Sequence, residues 1–302
     1  MDPLRVELAG GAHSPHVRII ASPLYSLYHW VAGLGPMPAV DDPPLLEAVR
    51  LMTAARFPRG RHGPWDRWEA AIPAARTVDE VIQGLGDRQR ETAEQVGRAM
   101  ELALPGFLST VWPAQQSALD EAVATIQGPL ASALPAMVQA QAEGLRLHFP
   151  DAVDVYLVVA CYDPAGAYSH PTTIDVTQYR GSALGESLLH ELTHVADVET
   201  SRRGSASLKH EVSAAVEKQG LDGAIAWTLW HAVIFASSGY QVRRFVDPAH
   251  GDYAERRGLY RRFGLPGLAA AWSSYATGAI SAHQLVDALV ADAGSAAHRG
   301  PR

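Results

Sequence analysis

Two imidazoles with a carboxylate between them stand at His190-Glu191-Leu192-Thr193-His194. On a helix, residues four apart share a face, so His190 and His194 reach a single metal ion, while Glu191, turned about 100° away, reaches a water beside it. The chemistry this spacing allows is hydrolysis. Neutral imidazoles bind Zn²⁺, a bound zinc lowers the pKa of water toward about 7 and polarises a carbonyl, and the carboxylate acts as general base. Two histidines leave a third ligand to be found. His231 lies 37 residues beyond His194 in the apolar run Trp227 to Phe235, where a lone imidazole demands a partner; Glu211 and Glu217, 17 and 23 residues beyond, are the alternatives. Asp197 falls on the histidine side of the same helix and is expected to accept the outer N–H of a liganding imidazole. Tyr168, His170 and Tyr240 are candidate hydrogen-bond donors to a tetrahedral oxyanion, each read as sitting in a turn.

The geometry requires a helix, and the flanking residues supply one. Leu184, Leu188, Leu192 and Val195 keep the spacing of a buried stripe, with no proline from Ser182 to Ser201. Upstream, Val153 to Ala160 and Thr172 to Thr177 read as strands. This run of two strands and motif helix, over about residues 153 to 201, resembles the zincin metallopeptidases, and His190 to His194 match the form of the motif in thermolysin-like enzymes. The resemblance implies a small sheet before the motif helix, a Zn²⁺ cofactor, cleavage of an amide bond with Glu191 as base, and a peptide or protein substrate that adds a strand beside Thr172 to Thr177 at the sheet edge. The chain departs from the thermolysin-like pattern at the third ligand. That pattern places an acid four residues after the liganding Glu, and here Ala215 and Leu221 stand four after Glu211 and Glu217.

Ahead of the motif, Leu4 to Leu8 and His16 to Ile20 read as strands that join the same sheet. Residues 22 to 148 are otherwise helical: Ser22-Pro23 opens a helix through Val31, Leu45 to Phe57 forms another, Thr77-Val78-Asp79-Glu80 is a capping box, Asp87 to Leu104 stops at Pro105-Gly106, and Pro113 to His148 breaks at Gly128-Pro129. Pro150-Asp151 is the expected boundary between a mainly helical region, 1 to 150, and a metal-binding catalytic region, 151 to 302. Beyond the motif, helices are expected over Ser205 to Gln219, Asp222 to about Ser238, and from Ser281, with a disordered tail from Gly294. The fold class is α+β, mainly α.

Composition sets the outer limits. The chain has 302 residues, 47% hydrophobic and 19% charged, a globular balance. A net charge of −7 argues against a nucleic-acid partner. Cys161 stands alone, so the fold has no internal disulfide, and the first residues lack a signal peptide's basic start and apolar core. No apolar run is long enough for a membrane span. The expectation is a cytoplasmic zinc metallopeptidase. Two other readings stay open: a partner-binding protein whose metal site is structural, and a zinc hydrolase of a small amide or ester. Oligomeric state is not written in the sequence.

Overall fold

The computed structural model describes residues 3–8, 14–34, 42–55, 72–84, 90–162 and 165–298. The basic loop Pro58 to Trp65, the Gly10-Gly11 turn, the Gly35 to Pro38 stop and Asp87 lie outside the described residues. The fold is α+β and mainly helical, with a small mixed sheet. Two compact units make it up: one comprises Met1–Ala9, His16–Gln127 and Ala152–Arg180, the other Gly10–Pro15, Gly128–Asp151 and Gly181–Arg302. This corrects the expected single boundary at Pro150. The first strand after Pro150, Ala152–Val158, pairs in parallel with the N-terminal strand His16–Ala21, and the next two strands build onto it, which takes all three into the first unit.

The first unit holds a five-stranded sheet of β1 (Leu4–Leu8), β2 (His16–Ala21), β3 (Ala152–Val158), β4 (Ala167–Ser169) and β5 (Thr172–Asp175), in the order β1-β2-β3-β5-β4. β3 is central and parallel to both neighbours, with Ile19 opposite Val155 and Leu157 opposite Ile174. Such a strand is covered on both faces, and Val155, Tyr156, Leu157 and Val158 are all buried. Thr172 to Asp175 is not an edge: β4 pairs antiparallel along its outer side, so the edge expected to accept a substrate strand is already taken.

Helices α1 (Pro23–Gly33), α2 (Pro43–Ala54), α3 (Val78–Gly84) and α4 (Arg90–Gly106) pack with the sheet in one apolar core. Ser22 caps α1 and Asp42 caps α2, each side chain accepting an N–H three residues on, with proline at the first helical position where no donor is lost. α4 runs through Pro105 instead of stopping there. A wide π turn, Phe107–Val111, follows it, and α5 (Trp112–Thr125) continues from there. The break expected at Gly128 is present as a non-helical kink, ψ −122, where the chain passes into the second unit.

The second unit is helical: α6 (Ala131–Leu145), α7 (Ser182–Arg202), α8 (Leu208–Lys218), α9 (Gly223–Phe245), the short α10 (Tyr253–Arg256) and α11 (Leu259–Arg262), α12 (Leu268–Ala276) and α13 (Ala282–His298). α9 is the hub, packing against α6, α7, α8, α12 and α13. Its Trp230, Val233 and Ile234 meet Val212 and Val216 of α8, Trp272 of α12 and Leu289 of α13 in a second core. α9 also runs to Phe245, well past the expected stop at Ser238, and α13 reaches into the stretch expected to be a disordered tail.

One buried side chain ties the three helices that matter most. The amide of Gln141 on α6, 0% exposed, donates to Thr193 Oγ1 of α7 at 3.0 Å and to Ser237 Oγ of α9 at 2.8 Å. Replacing Gln141 with Leu removes both donors at nearly constant volume. It should cost about 1–3 kcal/mol, read as a lower urea midpoint at unchanged slope.

Candidate metal centre

α7 begins at Gly181, whose φ of +54 and ψ of −131 suit only glycine, and its first two thirds are buried. Leu184, Leu188 and Leu192 fill one stripe, each no more than 1% exposed. That anchoring turns His190 and His194 toward α9. α9 answers with Trp227, His231 and Phe235, also spaced four apart and so on one face.

The imidazoles of His190, His194 and His231 converge. His190 Nε2 stands 3.0 Å from His231 Nε2 and 3.2 Å from His194 Nε2, and the three residues present nitrogen atoms all within 4.8 Å of one another. Nitrogens about 2.0–2.1 Å from one tetrahedral zinc stand about 3.3 Å apart, so the spacing suits a shared cation. Without one, the arrangement is frustrated: His190 Nε2 has one lone pair or one proton to offer two other nitrogens. Burial, followed by the neighbouring His194 and His231, holds the His190 imidazole well below its ordinary pKa. His190 is therefore neutral, as a metal ligand must be. Glu191, the next residue, is 5% exposed.

Aromatic rings wall the triad. Trp227 stacks on His194 with centroids 5.9 Å apart, and Phe235 lies 4.2 Å from His190 and 4.9 Å from His231. These walls were missed in the sequence, although their four-residue spacing around His231 was legible there. His194 and His231 are half-buried and Trp227 is 37% exposed, so solvent reaches the triad on that side.

The other candidate residues have other tasks. Glu211 pairs with Arg146, and Glu217 is exposed on α8; neither joins the histidines. Asp197, expected behind an imidazole, instead takes Lys209 Nζ at 2.5 Å, and Lys209 reaches over the Trp227 ring at 6.0 Å. Tyr240 lies within α9, not in a turn. Nine residues from His231 is about 900° of helix, so it projects from the opposite face and packs against the core.

Tyr168 and His170 belong to the first unit, His170 exposed in the turn after β4. Tyr168 is one link of a directed hydrogen-bond chain. The Tyr162 N–H donates to His29 Nδ1 at 3.4 Å, which places the His29 proton on Nε2, 3.1 Å from the Tyr168 hydroxyl. At the far end Thr173 Oγ1 donates to the Pro171 carbonyl at 2.9 Å, so the Tyr25 hydroxyl donates to Thr173 at 2.8 Å and Tyr168 donates to Tyr25 at 2.6 Å. The Tyr168 proton is thus committed to Tyr25.

His29 is wholly buried, and burial pushes its pKa down to about 3. An unfolded histidine titrates near 6.5, so below that pH the unfolded chain binds a proton that the folded chain refuses, and stability falls as pH falls. Between pH 7.5 and 5.5 this residue alone should remove about 1.4 kcal/mol of stability. Unfolding free energies from urea titrations at the two pH values should differ by that amount more in the native chain than in His29→Asn.

Compared with family models, curated proteins and solved structures, the chain matches none.

Proposed function

We propose that this chain is a zinc-dependent hydrolase that cleaves an amide bond, with His190, His194 and His231 as metal ligands and Glu191 as general base. The observation that carries the reading is the convergence of three imidazole nitrogens, two of them from the helix that also carries the buried Glu191. Three protein ligands also favour catalysis over a structural role, since structural sites close all four positions with protein side chains and prefer cysteine. Zinc held by these residues would supply a Lewis acid for the scissile carbonyl and make water nucleophilic near neutral pH.

The chain's own groups do the rest. The His190 and His194 rings are fixed by α7 and the His231 ring by α9, so the donor set does not reorganise during turnover. Glu191 takes a proton from the attacking water and returns it to the leaving amine, which spares an amide anion. The exposed Trp227 ring offers an apolar surface beside His194 and His231 for a substrate side chain. A peptide substrate fits an open, aromatic-walled site of this kind.

Purified protein should hold one equivalent of zinc, and His231→Ala should lose it while Glu211→Ala and Glu217→Ala keep it, by metal analysis of folded variants. In a peptide-library cleavage assay, Glu191→Gln should retain zinc and lose about 10²-fold or more in kcat/KM. Native protein without tightly held zinc, or turnover undiminished in Glu191→Gln, would overturn the proposal.

A further inference from the structure

α7 carries chemistry at every fourth residue of one face: Ser182, Glu186, His190, His194. The first two belong to a buried network with the segment that follows α9. Glu186, 2% exposed, faces His250 Nε2 at 2.6 Å; His250 Nδ1 faces Ser182 Oγ at 3.0 Å; Ser182 Oγ reaches Asp247 Oδ2 at 3.0 Å. These contacts join α7 to the segment that follows α9, and a connected polar network of this kind resists displacement of its members.

The network leads to the metal ligands. Both Glu186 oxygens accept the Tyr253 N–H at 3.0 Å, the Tyr253 ring stacks on Phe235 at 5.8 Å, and Phe235 packs on His190 and His231. Liganding imidazoles are ordinarily oriented by an acceptor on the outer nitrogen. His190 Nδ1 is buried and has no such acceptor among the described residues. Its ring is located by Phe235 instead.

We infer that Glu186 and His250 are positioning residues of the histidine triad, acting through Tyr253 and Phe235. The inference rests on the reading of the triad as a metal centre. Glu186→Met leaves the Tyr253 N–H and His250 without their acceptor. Glu186→Gln keeps an acceptor for the N–H and offers a donor to His250 Nε2. Phe235→Leu removes the ring and keeps most of the volume, and Leu289→Ala on α13 weakens the same core away from this path.

The test is Co²⁺ titration of the metal-free full chain, with the visible d–d spectrum of the complex and the imidazole ¹⁵N shifts of His190 and His231 before metal is added. Glu186→Met and Phe235→Leu should weaken Co²⁺ binding by about 10-fold or more, change the d–d bands and move both imidazole shifts. Glu186→Gln should restore all three toward native values, and Leu289→Ala should lower Tm without moving any. If Glu186→Met and Phe235→Leu lose stability yet keep native affinity, spectrum and shifts, the network only holds the fold and the inference is wrong. If Glu186→Met does not fold, Phe235→Leu decides. A native chain that takes up no Co²⁺ refutes the metal reading, and the imidazole shifts of the metal-free variants still decide the positioning.

Discussion

Three imidazole nitrogens can share one small space only if the two helices that carry them are held in register by something other than the imidazoles. Like-polar groups facing one another supply no cohesion, and a free helix pair would slide or rotate to separate them. Here the cohesion comes from the faces turned away from the histidines. Leu184, Leu188 and Leu192 anchor α7, and Trp230, Val233 and Ile234 anchor α9. Gln141 then fixes one helix against the other by hydrogen bonds to Thr193 and Ser237, one residue before His194 and six after His231. Packing of this kind tolerates little displacement, because protein interiors are as dense as organic crystals. The site is therefore a property of the second core as much as of the motif.

The two polar networks are built from different groups. In the first unit the direction of the hydrogen bonds from Tyr162 to Pro171 follows from the backbone groups at the two ends. In the second unit carboxylates stand at both ends, Glu186 toward His250 and Asp247 toward Ser182. The first ties a helix to the sheet; the second lies close to the residues whose geometry the proposed chemistry depends on.

Much of this was legible in the sequence. The motif helix, the strands on either side of the helical block, the break at Gly128 and the place of His231 all follow from local periodicity, capping and turn chemistry. The readings that failed are those decided by distant partners. Nothing around Pro105 tells that a wide turn will carry the helix past it. Thr172 to Asp175 looks like an edge until β4 folds back on it. Tyr168 and Tyr240 were read as turn residues near the site, but one is committed to Tyr25 and the other projects from the far face of a helix longer than its apolar run suggested. Asp197 has the right position for an imidazole partner, and Lys209, twelve residues on, claims it first.

The course of the chain between the two units has a consequence for synthesis. The unit with the sheet is complete only when Arg180 has been made, and the unit with the histidines runs from Gly10–Pro15 through Gly128–Asp151 to Gly181–Arg302. Neither is a contiguous segment, so neither can be released whole by a single cut. Termination near Pro150 would leave β1 and β2 without the three strands that complete their sheet, and would strand α6 without α7 or α9 to pack on. A chain laid out in this way brings its three histidines together only after α9 has followed α7 out of the ribosome.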